Sequence, residues 1–258
     1  MSALFFATAA KSAVGLVRAG NEDSALTSRS LVAVADGMGG HAAGEVASRI
    51  AITTLAKESE VFTQKDVDLE SADDLYSSTL PLIDATIAEY AIENPALAGM
   101  GTTLSALFLR DGAVAALHIG DSRIYRLRGS AFEQLSIDHT VIQELLDQGA
   151  ITEADIATHP QRSVLTQVLM GDGRNQVALT LHGVKADDRF LLCSDGLTGV
   201  VSNKEIKAIL KSKARGAAVD ALVESAYLNG APDNVTVIVA DVLGNDIQEP
   251  LTMLGAAK

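Results

Sequence analysis

Tryptophan is absent from this 258-residue chain, cysteine occurs once, and aromatic residues make up only 4% of it. A lone cysteine, Cys193, excludes an intrachain disulfide and fits a reducing, cytoplasmic setting. A cysteine-phosphatase nucleophile needs a phosphate loop ending in arginine just downstream. Ser194-Asp195-Gly196-Leu197-Thr198-Gly199-Val200 contains none, so Cys193 reads as a small buried hydrophobe. With so few rings, Ala, Val, Leu and Ile must fill the interior. No apolar run reaches about 18 residues, so no segment reads as a membrane span. Leu4-Phe5-Phe6-Ala7 lacks the basic start and the length of a signal peptide and reads as a first strand. Cations are scarce as well. Twenty Lys and Arg face 33 Asp and Glu, a net charge of −13, which leaves no basic footprint for nucleic acid or an anionic membrane. HExxH, clustered Cys/His, Walker A and GxGxxG patterns are all missing, which excludes the zinc, P-loop and dinucleotide chemistries they serve.

What the chain does have is a 48% hydrophobic composition, a mean hydropathy of +0.22, and an unusual way of ending strands. Three apolar β-forming runs stop at an aspartate: Leu31–Ala35 at Asp36, Ala116–Gly120 at Asp121, and Phe190–Ser194 at Asp195. A fourth aspartate, Asp233, opens the run from Asn234 to Val239. Asp-Gly is a common turn dipeptide, and Asp111-Gly112 and Asp172-Gly173 read as turns. Asp36 and Asp195 differ because the runs before them are apolar on both faces, the mark of a fully buried strand. Two carboxylates ~4 Å apart repel by roughly 4 kcal/mol at an effective dielectric near 20. Either the aspartates are scattered or cations hold them together. Oxygen-only ligands then favour Mg²⁺ or Mn²⁺. Gly37-Met38-Gly39-Gly40 reads as a sharp backbone bend beside such a site, with the Gly37 carbonyl available as a further ligand. Arg18, in a glycine-framed loop five residues before Asp23, is suited to gripping a phosphate.

The element order is strands, two helices, many strands, two helices and one strand. Strands are expected at Ala3–Thr8, Ser30–Ala35, Thr102–Arg110, Ala113–Ile119, Ser122–Arg128, Phe132–Leu135, Val177–Leu181, Arg189–Cys193 and Asn234–Val242. Helices are expected at Ala43–Lys57, Ala72–Glu93 (Ser71 and Asp74 as cap), from Ser202 with Glu205 as a capping box, and at Arg215–Leu228. Residues 138–174 break the strand pattern with a short helix at Val141–Gln148 and a polar bend at His159-Pro160-Gln161-Arg162. They read as an inserted mobile flap that governs peptide selectivity more than chemistry. Residues 1–243 read as one domain and 244–258 as a tail or linker. This is an α+β pattern of antiparallel sheets covered by helices.

Six segments occur in one order: Arg18-Ala19-Gly20-Asn21-Glu22-Asp23, Ala35-Asp36-Gly37-Met38-Gly39-Gly40, Gly101-Thr102-Thr103, Gly120-Asp121-Ser122-Arg123, Ser194-Asp195-Gly196-Leu197 and Asp233-Asn234-Val235-Thr236. Together they resemble the bacterial form of the metal-dependent serine/threonine protein phosphatases of type 2C, from about residue 4 to residue 242. The resemblance implies a four-layer αββα sandwich with two or three Mn²⁺ or Mg²⁺ ions in a cleft at one end. It implies that Asp36 bridges two ions, that Gly37 ligates the second through its carbonyl, and that Asp195 and Asp233 ligate the first. Asp121 with Asp195 would hold a third. Glu22, Asp23 and Asn234 would orient waters and ligands, Arg18 would bind the substrate phosphate, and His159 and Arg162 would lie on the substrate flap. The implied reaction is in-line attack of metal-activated water on phosphoserine or phosphothreonine. Its partners would be phosphoproteins made by a serine/threonine kinase, and the chain is expected to be monomeric. Some bacterial relatives continue into a membrane anchor. Eukaryotic relatives carry a histidine as general acid where this chain has Met38, and a thioether has no proton to give. His41 nearby reads as a structural residue at a helix start. Two other readings stay open: a degenerate phosphoprotein-binding regulatory module, and a phosphatase acting on small phosphoesters or phosphotyrosine.

Overall fold

The computed structural model describes residues 3–40, 43–62, 69–110, 112–175, 179–245 and 248–258. His41, Asp111 and the start of the strand expected at Val177–Leu181 lie outside them, as do the side chains of Ser71 and Asp74.

Two antiparallel sheets form the middle of the molecule. The first joins β1 (Phe5–Ala13), β11 (Val235–Leu243), β10 (Arg189–Cys193), β7 (Arg123–Arg128) and β8 (Ala131–Gln134) in that order. The second joins β12 (Thr252–Gly255), β2 (Asp23–Thr27), β3 (Leu31–Met38), β5 (Leu104–Arg110), β6 (Ala113–Ile119) and β9 (Thr180–Gly183), with β4 (Gly101–Thr102) on the end of β3. Helices α1 (Ala43–Phe62) and α2 (Leu69–Glu93) cover the second sheet. Helices α5 (Asn203–Ser212) and α6 (Arg215–Leu228) cover the first. Two short helices, α3 (Val141–Asp147) and α4 (Asp195–Thr198), and 3-10 turns at Pro95–Leu97 and Glu153–Thr158 complete the set among the described residues. None of these helices is long and apolar enough to cross a membrane.

Period-two alternation explains the layering. Val32 and Val34 face Phe190, Leu192, Ile238 and Ala240 in a core between the sheets. Ala33 and Ala35 turn the other way, onto α1. In the same manner Leu191, Cys193, Val235, Val237 and Val239 turn outward onto α5 and α6. Each of these strands is apolar on both faces because each face has its own core. The inter-sheet core is built almost entirely from small aliphatic side chains. Its rings are Phe6 and Phe190, in edge contact with centroids 6.1 Å apart.

Several expectations need correction. β1 runs on to Ala13 because it pairs with β11 along nine residues. β3 continues past Ala35 through Asp36, Gly37 and Met38, because Gly37 and Met38 pair with Thr102 and Gly101. The strand expected at Thr102–Arg110 breaks at Thr103. α1 extends beyond Lys57 to Phe62, and β9 stands at Thr180–Gly183. β2 begins at Asp23, inside what read as loop. Residues 244–258 are more than a linker, since β12 pairs with β2. At α5, Ser202 accepts the Glu205 N–H, but the Glu205 carboxylate accepts from Ser225 rather than closing a capping box.

The flap stems are anchored. Bridges join Thr140 to Leu165 and Thr102 to Leu169, and Leu169 is fully buried. The buried Asp84 carboxylate on α2 accepts three backbone N–H groups, from Met170 (3.0 Å), Gly171 (2.8 Å) and Gly173 (2.8 Å).

Phe6→Ala, at the fully buried ring between the sheets, should cost about 3–5 kcal/mol in urea unfolding of the chain. A loss below about 1 kcal/mol would mean that the inter-sheet core is not packed as described.

Candidate metal centre

The strand directions bring the acidic residues to one end of the sandwich. β3 and β6 are both antiparallel to β5, so they run parallel and their C-terminal ends carry Asp36 and Asp121 to the same edge. In the other sheet β10 ends, and β11 begins, at that edge. Asp195 therefore stands beside the turn holding Asp233 and Asn234. The ladder continues one step beyond the strands: Ser194 N–H donates to the Thr236 carbonyl, and Thr236 N–H to the Ser194 hydroxyl, each at 3.0 Å. Two of the links between the sheets, residues 14–22 and 120–122, also lie at this end.

Hydroxyl groups stitch these ends together. Ser194 donates to Asp23 Oδ2 (2.8 Å) from the opposite sheet. Asp23 itself faces Asp36 in the β2–β3 register. Thr103 is bound to both polar groups of the Asp36 backbone, accepting its N–H at Oγ1 (3.0 Å) and donating its own N–H to the Asp36 carbonyl (2.9 Å). Its hydroxyl also meets that of Ser122 at 2.8 Å, next to Asp121. Asn234 ties three segments: Oδ1 accepts the Glu22 N–H (2.8 Å), while Nδ2 donates to Val14 O (2.7 Å) and Gly20 O (2.9 Å). Two glycines permit close approaches here. A Cβ on Gly37 would lie 2.1 Å from the Gly44 carbonyl oxygen of α1, and one on Gly196 would lie 1.9 Å from that of Asn234.

The electrostatics are strained. Burial pushes Asp23 up to about 7, and the charges of Asp195 and Asp233 push the same way, while hydroxyls of Thr236 and Ser194 oppose. Burial likewise lifts Asp121 to about 7, reinforced by Asp195 and Asp138. Asp36 is raised well above the carboxylate range by burial and then by Asp23, Asp195, Asp121 and Asp233. Asp195 is raised by burial and Asp233, against a hydrogen bond with Asp36. Glu22 is raised by burial, with Arg18 opposing. Five aspartates thus share one field, and Asp23 Oδ1 is buried with no hydrogen-bond partner.

The four strand-end aspartates converge, but they do not form a finished cage. Among the described residues no group of three or more His, Cys, Asp or Glu side chains stands ready around a single ion. The side chains satisfy one another instead: Asp36 bonds Asp195, and exposed Arg18 donates through Nη2 to Asp233 Oδ2 at 2.6 Å. Mutual repulsion, a partnerless buried oxygen and an all-oxygen donor set fit hard divalent cations, which would neutralise the field.

Among the other expected residues, Met38 is 40% exposed on the rim. His159 and Arg162 bond within their own flap turn, Gln161 N–H donating to His159 Nδ1 and Arg162 N–H to the His159 carbonyl. Sequence reading assigned no role to Ser194, the link from Asp23 to Thr236, nor to Ser122 and the individual anchors of Thr103. It also missed His118 and His139, stacked 5.1 Å apart behind Asp121. His139 Nδ1 accepts the Gly120 N–H at 3.1 Å. Burial pulls His118 down to about 4, so it stays neutral between the Ser105 hydroxyl and the Ile137 carbonyl.

Comparison with known proteins follows this geometry. A family model described as Protein phosphatase 2C matches residues 21–225. The chain is 42% identical over 252 residues to the serine/threonine protein phosphatase PstP of Mycobacterium tuberculosis, covering 96% of this chain and 47% of that protein. It therefore spans about half the length of that curated relative. It is 35% identical over 233 residues to the serine/threonine phosphatase stp of Listeria innocua, covering 88% and 92%. The crystal structure of the M. tuberculosis phosphatase PstP/Ppp superposes with a TM-score of 0.86 at 41% identity, covering 92% of this chain and 98% of that one. The PstP catalytic domain in complex with two manganese ions superposes at 0.85, with 40% identity and 93% and 99% coverage.

Asp121 tests the electrostatics. Its folded pKa, about 7, lies above its unfolded value, so its protonated form stabilises the fold at low pH and that contribution is lost as pH rises through about 4 to 7. Asp121→Asn removes the dependence. Between pH 5 and pH 8 the metal-free variant should gain roughly 1–3 kcal/mol relative to the parent in urea unfolding. A constant difference would show that Asp121 does not share the field.

Proposed function

The chain belongs to the protein phosphatase 2C family, and on that premise we propose that it hydrolyses phosphoserine and phosphothreonine in proteins. The observation that carries the proposal is the gathering of Asp36, Asp121, Asp195 and Asp233 at one rigid edge beside Arg18. Two or three Mn²⁺ or Mg²⁺ ions fit this donor set. Asp36 would hold two of them, with the Gly37 carbonyl on one and Asp195 and Asp233 on the other. Asp121 and Asp195 would hold the third. Bound there, divalent cations supply Lewis acidity and make water nucleophilic near neutral pH.

The chain's own residues do the rest. Arg18 presents a planar fork of N–H donors at the lip of the site, suited to two phosphate oxygens. Its Nη2 pairs with Asp233 Oδ2. Were Asp233 to hold a cation, Arg18 would be available to the phosphate. Asn234 fixes the loop behind Asp233, and Glu22 and Asp23 orient ligands and waters from the other sheet. Arg18 would hold the phosphate so that water could attack in line with the departing serine or threonine oxygen. Met38 has no proton to offer, so that oxygen takes its proton from another group. Substrates would be proteins phosphorylated by a serine/threonine kinase, and residues 138–174, with half-buried His159 and exposed Arg162 along the bend, would set their selectivity. One catalytic domain carries all of this. A degenerate binding module finds no support, since every expected acidic ligand is present.

Phosphate release from a phosphothreonine peptide should require Mn²⁺ or Mg²⁺ and stop with EDTA. Asp36→Asn should lower kcat/KM by more than about 10³, and Arg18→Ala by about 10². Metal-independent turnover, or full activity of Asp36→Asn, would refute the proposal. Arg162→Ala should reorder a panel of phosphopeptides while leaving p-nitrophenyl phosphate hydrolysis unchanged. An unchanged ranking would remove the flap from substrate choice.

A further inference from the structure

The C-terminal segment crosses the open edges of both sheets and ends against the metal site. At one side, the Glu249 carboxylate accepts the backbone N–H and the hydroxyl of Thr8 on β1, the edge strand of the first sheet. At the other, β12 extends the second sheet, pairing Thr252 with Thr27, Met253 with Leu26, Leu254 with Ala25 and Gly255 with Ser24. Alternate side chains divide between cores: Met253 packs on the helix-covered side and Leu254 between the sheets.

The last rung reaches Asp23. Ala256 N–H donates to the Asp23 carbonyl at 2.8 Å. Gly255 makes that approach possible. Its φ is +69°, and a Cβ there would lie 2.1 Å from the Asp23 carbonyl oxygen. Asp23 is 1% exposed and faces Asp36 across the β2–β3 ladder, so its backbone is clamped from both sides. Its side chain reaches over to Ser194 of the opposite sheet.

We infer that Gly255 and Ala256 are positioning residues for the cation site, which they hold in register by fixing the Asp23 backbone and, through it, Asp36. This rests on the reading of the aspartates as cation ligands. An ordinary edge strand would add stability only. A strand whose last hydrogen bond ends on Asp23 also sets the distance between Asp23 and Asp36, on which cation affinity depends.

The test uses the full chain and Mn²⁺ alone. Gly255→Val forces a side chain against the Asp23 carbonyl, and Ala256→Pro deletes the N–H donor. Glu249→Gln loosens the same segment at its far end and serves as the control. Thermal unfolding reports stability, and calorimetric titration well below Tm reports affinity. Gly255→Val and Ala256→Pro should weaken Mn²⁺ binding by about tenfold or more. Glu249→Gln should lower Tm yet bind Mn²⁺ within about twofold of the parent. If Gly255→Val does not fold, Gly255→Ala and Ala256→Pro carry the comparison. Lowered Tm with parental Mn²⁺ affinity in these variants would reduce the segment to an ordinary edge strand and overturn the inference. A parent chain that binds no Mn²⁺ would overturn the underlying reading of the aspartates instead.

Discussion

Repulsion among buried carboxylates is the constraint on which the rest of this structure depends. Burial pushes the protonation of Asp23, Asp36, Asp121 and Asp195 upward, and the neighbouring negative charges, that of Asp233 among them, add to the effect. Nothing about folding alone favours such a cluster, because a domain's whole margin is only ~5–15 kcal/mol. The surrounding framework therefore has to over-determine their positions. It does so with two sheets locked face to face and with hydroxyl groups of Ser194, Thr103 and Ser122 bound across the ends of the strands. Arg18 on Asp233, and the shared hydrogen bond of Asp36 and Asp195, relieve part of the strain.

The far end of the sandwich shows the opposite design. There Arg189 makes a two-pronged pair with Asp241 and caps the end of α5 through the Leu210 and Lys213 carbonyls. Arg128 pairs in the same way with the buried Asp188. Charges at that end are matched and closed. At the site end carboxylates predominate, with Arg18 paired to Asp233.

The main layers were legible in the sequence because buried strands write themselves plainly. Leu31–Ala35 and Phe190–Cys193 are apolar at every position, and each face does meet a core. The apolar runs leading to Asp36, Asp121 and Asp195 were visible for the same reason, although β3 itself continues to Met38. The links that unite them were not. Ser194 and Asp23 lie 171 residues apart, and nothing local marks a serine as the partner of a distant aspartate. β2 escaped notice because Ser24-Ala25-Leu26-Thr27 is short and made of small side chains. β12 was hidden by the glycine, asparagine and proline before it, and it becomes a strand only because β2 offers an unpaired edge. The half-formed box at Ser202 failed because Ser225, on another helix, competes for Glu205.

The central claim is that the crowded aspartates exist to hold divalent cations. Anomalous diffraction from crystals soaked in Mn²⁺ tests it most directly. The account predicts at least two anomalous peaks among Asp36, Asp195 and Asp233, with Arg18 swung away from Asp233. Peaks only elsewhere on the surface, with Asp36 still bonded to Asp195 and Arg18 still on Asp233, would contradict it.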